Sequence, residues 1–339
     1  MASSSGNDSN GGYSGIPTLG VDSLAPEHLF NVDGMVVVIT GGGSGIGRMM
    51  TTALARNGAI VYIVGRRLDV LQATTQEINE PNKIIPLEGD VTDRDSLLSL
   101  VDEVKNRHGY IDLLINNAGI ARDFYDHPLP SPADSSPGSS PPNSPAPSVP
   151  CIKSFQASLW DSGSPDGFAE TFATNVTSVY YTTVAFLELL HQGNVRKQEN
   201  TSFPLGGQLR PPFHSSQVLT VSSSGGFRLD PKILSLSYTL AKAACTHLGK
   251  LLANLLAPWG IRSNVLAPGV FPSEMTSGLF PGVGLGPAAF IDSVPLKRAG
   301  TEEEMAGAIL FLASRSGAYV NGAVWLVDGG RVGSFASSY

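Results

Sequence analysis

Cysteine is nearly absent from this chain: Cys151 and Cys245 are the only two in 339 residues. Two thiols make neither a disulfide framework nor a four-thiolate metal site, so a reducing, intracellular setting is expected. Positive charge is also scarce, with 22 Lys and Arg against 29 Asp and Glu, a net charge of -7 and a pI near 5.4. The basic residues are scattered, which argues against a phosphate-backbone partner and against a polybasic membrane patch. Long apolar runs are missing too. The best of them, VYYTTVAFLELL, falls well short of the roughly 18 residues that a membrane span needs. The six His are dispersed with no ligand-like pair or HExxH, so no metal is expected. The N-terminal MASSSGNDSNGGYSG lacks a basic-then-apolar signal pattern and the terminal FASSY is not a peroxisomal address. These features lead us to expect a cytoplasmic protein with no nucleic-acid or membrane partner.

What the chain does have is rhythm. After a Gly-, Ser- and Asn-rich stretch over residues 1–30, read as a flexible tail, short apolar runs alternate with longer helical spacings. The runs are MVVVIT, AIVYIV, KIIPLEGD, IDLLINNAG, QVLTVSS, IRSNVLAPG and AVWLVDGG. They are continuously apolar, as strands buried on both faces must be, and this implies a parallel sheet covered by helices. Residues 48–57, 93–108, 168–191 and 238–257 have the length and spacing of the crossovers. The expectation is one α/β domain over residues 31–331: a Rossmann-like, doubly wound parallel sheet of about seven strands with helices on both faces. Two stretches interrupt it. Residues 126–150 are dominated by Pro and Ser, which cannot build a core, and are expected to be a disordered, catalytically idle excursion whose root lies near the ligand-binding strand ends. Residues 193–216 are expected to be a surface loop, and 332–339 a C-terminal tail that could reach a neighbouring subunit.

The segment VVVITGGGSGIGRMM sets a glycine-rich turn between the first strand and a helix. Glycines permit a tight turn and close backbone approach, and a helix N-terminus stabilises a pyrophosphate. Gly41, Ser44, Gly45, Ile46 and Gly47 are therefore candidate cofactor contacts. The alternative, a merely flexible turn, ignores the strand-turn-helix context. At the end of the second strand, where an NAD enzyme usually carries an acid, this chain has Gly65, Arg66 and Arg67. A guanidinium can pair with a 2′-phosphate, so Arg66 favours NADP (NADPH) over NAD. Tyr238 and Lys242 lie four residues apart and share a helix face. An ammonium near a phenol favours the phenolate, and it would fit Tyr238 for proton exchange with a carbonyl or alcohol oxygen.

Taken in order, TGGGSGIG, GDVTD, NNAG, TNVTS, TVSSSGG, YTLAK and APG resemble the short-chain dehydrogenases/reductases, over about residues 31–331. The pattern is most similar to the branch containing rhamnolipid-type 3-oxoacyl reductases. The resemblance implies a catalytic set of Ser223, Tyr238, Lys242 and Asn175. Ser223 is selected from three adjacent serines because Gly226 follows it by three, and Ser222 and Ser224 are left as structural. It also implies that Lys242 and Tyr238 contact the cofactor ribose, and that Asp90 and Val91 lie at the adenine. Asn117 and Gly119 would lie near the adenosine ribose. Pro268, Gly269, Val270 and Ser273 would run along the nicotinamide. Ser273 keeps a hydroxyl where the family commonly has threonine. The function implied is an NADPH-dependent reduction of a ketone, on a 3-oxoacyl-like or secondary-metabolite substrate, with Tyr238 as proton donor. An NAD-dependent secondary alcohol dehydrogenase and a non-catalytic cofactor-binding regulator are the alternatives. The family further implies a homodimer or homotetramer. Residues 271–292 are expected to form an apolar substrate lid that includes Met275, Leu279 and Phe280.

Overall fold

A computed structural model describes residues 24–126, 129–132, 151–200, 214–279 and 294–339, with side chains described except at 198–200 and 277–279. Seven parallel strands follow the expected runs: β1 Val36–Thr40, β2 Ile60–Gly65, β3 Ile84–Glu88, β4 Leu113–Asn116, β5 Gln217–Val221, β6 Arg262–Pro268 and β7 Val324–Val327. Their order is β3-β2-β1-β4-β5-β6-β7. The direction of winding therefore reverses between β1 and β4, which opens a crevice at the carboxyl ends of those two strands. Registers run through the sheet, with Val37 opposite Val61 on one side and Leu113 on the other.

All five residues of β1 are buried, and alternate ones serve opposite faces. Val37 and Ile39 join a core with Met50, Leu54, Met305 and Ile309, under α2 (Gly45–Arg56) and α11 (Glu302–Ala313). Val36 and Val38 join another core with Leu100, Val104, Phe186 and Leu252. That second layer lies under α4 (Arg94–Arg107), α7 (Ser178–Ala185) and α9 (Leu236–Leu256). Full burial of one such aliphatic side chain stabilises by about 1.5–3 kcal/mol, so two apolar faces per strand explain the unbroken runs. The remaining helices are α1 (Pro26–Leu29), α3 (Leu68–Ile78), α5 (Ile152–Trp160), α6 (Pro165–Phe172), α8 (Leu187–Asn200) and α10 (Glu274–Leu279). Polar ends start several of them where expected: Asp93 accepts from Ser96 N–H at 2.8 Å at the head of α4.

Three sequence expectations need correction. The stretch 193–216 is not irregular from its start, because α8 continues to Asn200. Asn194 anchors it, donating to the carbonyls of Trp259 and Gly260 and accepting from Ser216 N–H at 2.7 Å. Lys197 lies 2.7 Å from the buried Asp112 carboxylate, and these polar residues had disguised a packed helix as a loop. The last residues are no loose tail: Ser338 N–H donates to Phe227 O, Leu229 N–H to Ala336 O, and Tyr339 packs edge-on against Phe227. At the other end, α1 is fastened by Ser316 Oγ to Leu29 O, so the N-terminal tail ends before residue 30. The Pro/Ser stretch at 133–150, most of the surface loop at 201–213, and lid residues 280–293 including Phe280 lie outside the described residues, as does the Leu279 side chain. Among the described residues, no helix is long and apolar enough to cross a membrane, and no cluster of metal ligands occurs.

Candidate active site

The glycine turn is held from below by Thr40. Its hydroxyl accepts from the Asn117 and Ala118 N–H groups at 3.0 and 3.1 Å, tying the ends of β1 and β4 together. Asn117 turns its amide back onto the carbonyls of Thr40 and Gly41, so it braces the crevice floor from behind. Gly41 and Gly45 adopt φ of 65° and 49°, the left-handed region that favours glycine. Gly47 is required by space: a Cβ there would lie 2.0 Å from the Gly41 oxygen. Ile46 points into the core rather than the crevice. Ser44, at the N-terminus of α2, makes no side-chain capping bond, which leaves that end of the helix open to an anion.

Above this turn lies a crevice of about 300 Å³ lined by Gly41, Ser44, Arg66, Asp90, Val91 and Gly119, among others. Arg67 pairs across it with Glu274 of α10 at 3.0 Å, whereas Arg66 makes no ion pair among the described residues. Burial pushes the Asp90 carboxyl up, but hydrogen bonds from the Thr92 hydroxyl and N–H and the nearby Arg66 charge outweigh it and hold it below the usual range. Ser273 stands over the mouth, 2.9 Å from where a Cβ on Gly45 would lie, and its hydroxyl bonds with Thr276 at the start of α10. Glycine turn, open helix end and unpaired guanidinium together fit a dinucleotide carrying phosphates. The nicotinamide end would lie toward Pro268, Gly269 and Val270, which close β6; Gly269 N–H is held by Val327 O and Val270 O by Gly300 N–H.

The deep end of the crevice is built from three elements. Asn175 is fully buried in a five-residue π-turn (Ala173–Thr177) that interrupts the helical run between α6 and α7. Such widened turns re-aim one side chain and are frequent at functional sites. The sequence offered no sign of the π-turn, only the unusual placement of Asn in an otherwise helical pattern. Asn175 Oδ1 accepts from Ile120 N–H at 2.9 Å. Lys242 is 5% exposed, and its Nζ donates to Val221 O at 2.9 Å. The two residues flank Gly119: a Cβ there would be 3.0 Å from Asn175 Oδ1 and 3.5 Å from Lys242 Nζ.

Tyr238 lies one helical turn before Lys242, whose Nζ is 5.8 Å from the phenol ring centre. The buried Ser235 hydroxyl accepts from Tyr238 N–H at 3.1 Å and fixes the start of α9. Of the three serines, Ser222 bonds the Lys242 carbonyl and the Thr246 hydroxyl beneath α9. Ser224 is buried behind the turn. Ser223 alone of the three lines the same cavity as Tyr238, a space of about 110 Å³ also bounded by Gly269, Val270 and Met275. A Cβ on Gly225 would come within 3.2 Å of Ser223 Oγ and 3.8 Å of Tyr238 Cε1, so the serine hydroxyl and the tyrosine ring both border that glycine. Gly226 lets this turn touch α9, because a Cβ there would strike the Lys242 backbone at 2.8 Å. Sequence reasoning missed Arg228 and Arg331, which also line the cavity. Arg228 forms a bidentate pair with Asp230, and an Arg-x-Asp spacing was the available signal.

Comparison with known proteins agrees with this architecture. The short chain dehydrogenase family model matches residues 35–132, and the Enoyl-(Acyl carrier protein) reductase model matches 208–331. The chain is 39% identical over 323 residues to the short-chain dehydrogenase/reductase PhomF of Diaporthe leptostromiformis, covering 94% of this chain and 98% of that one. It is 30% identical over 304 residues to the 3-oxoacyl-[acyl-carrier-protein] reductase FabG of Thermotoga maritima, covering 89% and 99%. Among solved structures, the Pseudomonas aeruginosa RhlG/NADP active-site complex superposes with a TM-score of 0.69 at 25% identity, over 90% of this chain and 98% of that one.

Proposed function

The chain belongs to the short-chain dehydrogenase/reductase family of oxidoreductases, and from that premise we propose that it is an NADPH-dependent carbonyl reductase. One observation carries the reading: Ser223 and Tyr238 face a common cavity with the buried Lys242 ammonium beneath the phenol. The cofactor, when bound, supplies a hydride. Ser223 donates a hydrogen bond to the substrate oxygen as negative charge gathers there, and Tyr238 delivers the proton to that oxygen. Lys242, fixed by Val221 O, keeps a positive charge under the phenol and holds the cofactor ribose. Asn175 keeps the floor around Gly119 in place and supports the lysine. Asp90 and Val91 serve the adenine, Gly119 the neighbouring ribose, and Ser273 the carboxamide.

Preference for NADP rests on Arg66, which makes no ion pair among the described residues, and on Gly65, Arg66 and Arg67 leaving no acid at the end of β2 to repel a 2′-phosphate. The RhlG relative was solved with NADP, in keeping with that choice. A small-molecule carbonyl compound, as opposed to a macromolecule, is the substrate, and a homo-oligomer is the working form. The latter is supported by apolar side chains left exposed on two helices, among them Tyr180 and Val184 of α7 and Leu251 and Leu255 of α9. Both cysteines are free thiols, in keeping with the cytoplasm.

The test is cofactor oxidation with NADPH and NADH against a panel of ketones that includes 3-oxoacyl thioesters. Turnover with NADPH, lowered by about a hundredfold or more in Tyr238→Phe with cofactor binding retained, is the expected result. No oxidation of either cofactor by any carbonyl would remove the reading.

A further inference from the structure

Beside the reaction cavity lies a second and much larger space, of about 1140 Å³. Its walls come from three stretches: the chain leaving β4 (Tyr125 and Leu129–Pro132), helix α5, and the segment Pro231–Leu236 that leads into α9. Leu129, Ile152, Phe155, Leu159, Ile233 and Leu236 make the lining apolar, and Lys232 is the only charged residue on it among the described residues. Ile152 and Leu159 leave 76% and 36% of their surface open. A space of this size matches or exceeds the ligand pockets of about 300–1,000 Å³ that hold drug-sized molecules.

The two spaces share a wall. Phe124 pairs with Ser235 in an isolated antiparallel bridge, and Tyr125 N–H donates to Leu234 O at 2.8 Å. Phe124 and Ser235 line the reaction cavity, Tyr125 lines the large chamber, and Leu234 lines both. The stretch that pairs with the β4 exit also begins the helix that carries Tyr238, through Ser235 at its N-terminus. The chamber is therefore anchored to the reacting groups by two short, hydrogen-bonded pieces of backbone.

We propose that this chamber holds the apolar body of the substrate, so that the enzyme prefers ketones carrying a long alkyl or fused-ring extension over small ones. The inference rests on the carbonyl-reductase reading and deepens it. Leu234 borders both spaces, and that adjacency selects the occupant: a molecule whose carbonyl reaches Ser223 and Tyr238 has this chamber as the neighbouring apolar space. Lys232, the one cation among the described lining residues, suits a polar or acidic terminus on that body. Apolar burial at about 25 cal/mol per Å² supplies the preference.

The experiment compares methyl undecyl ketone with methyl ethyl ketone as substrates for the full chain with NADPH, in the wild type, Leu159→Glu and Phe155→Ala. The wild type is expected to favour the long ketone in kcat/KM. Leu159→Glu should lower that value by about tenfold or more for the long ketone and leave the short one within about twofold, because a carboxylate would be desolvated against the chain. Phe155→Ala should lower it several-fold in the same selective way. Absence of a long-ketone preference in the wild type, or equal losses for both ketones, overturns the proposal. Should neither ketone be reduced, the parent reading fails and calorimetric titration decides the chamber separately. Methyl undecyl ketone binding to the wild type but not to Leu159→Glu upholds it, and equal or absent binding overturns it.

Discussion

Asn175 and Ile120 hold each other through both ends of one side-chain amide, with Nδ2 donating to Ile120 O at 2.8 Å and Oδ1 accepting from Ile120 N–H at 2.9 Å. The bond joins the π-turn to the loop that leaves β4, across the buried floor shared with Lys242. Asn175→Ala strands both backbone groups of Ile120, each at about 1–3 kcal/mol. We expect chemical denaturation to show a loss of that order, and kcat to fall further than the change in folded fraction explains. Unchanged kcat in the folded protein would reduce Asn175 to a brace.

Arg66 and Arg67 are neighbours with different duties. Both line the crevice, but Arg67 is already engaged with Glu274 in an exposed pair worth about 0–1 kcal/mol, while Arg66 makes no ion pair among the described residues. A charge-assisted hydrogen bond contributes about 1.5–3 kcal/mol, so Arg66→Ala should raise the KM for NADPH by roughly tenfold or more. The KM for NADH should move little, and Arg67→Ala should disturb neither strongly. Steady-state kinetics with both cofactors checks this, and a wild-type preference for NADH would remove the argument from Arg66 altogether.

The glycine turn makes a steric prediction. A methyl on Gly47 meets the Gly41 oxygen at 2.0 Å and Asn117 Nδ2 at 2.6 Å, and the first of these is backbone that cannot swing aside. Gly47→Ala should destabilise by about 1–3 kcal/mol and abolish cofactor binding measured by fluorescence titration. Gly307, in α11, has nothing within 4 Å of its would-be Cβ. Gly307→Ala should instead raise stability by about 0.5–1 kcal/mol and leave binding alone.

Much of this arrangement was legible because it repeats locally. Continuous apolar runs such as VVVIT report burial on both sheet faces, the glycine turn spans a single strand–helix junction, and the Tyr238–Lys242 spacing sits within one helix. Fold and family follow from those alone. What stayed hidden depends on long-range partners. Asn194 and Lys197 look like loop residues until Ser216, Gly260 and Asp112 arrive from elsewhere in the chain. The π-turn at Asn175 exchanges one hydrogen-bond register for another without changing composition. The apolar chamber requires α5 to meet the segment before Tyr238, a pairing that separate motifs do not encode.

The same corner that misled the sequence reading supplies a pH prediction. Burial, and then the positive charges of Lys197, Arg262 and Arg315, push the His214 imidazole from 6.5 down to about 3. Its carbonyl accepts from Lys197 Nζ at 2.8 Å, its Nε2 lies 3.4 Å from Arg262 Nη2, and Asp112, the acid of this corner, is paired with Lys197. His214 thus stays neutral in the folded protein, while the unfolded chain takes up a proton below pH 6.5. The unfolded state then binds more protons, and stability must fall as pH drops from 6.5 towards 3, by up to about 1.4 kcal/mol per unit. Above 6.5 the contribution is fully present. Carboxylates with lowered values, such as Asp230, act only further down the acid range, so between pH 6.5 and 5 the slope comes from histidines: His214, and His108, which burial and then the Arg107 charge also lower. Denaturant unfolding across that window should show a slope for the wild type that flattens in His214→Asn. An equal slope in both proteins would mean that the imidazole is hydrated and free to take its proton in the folded state.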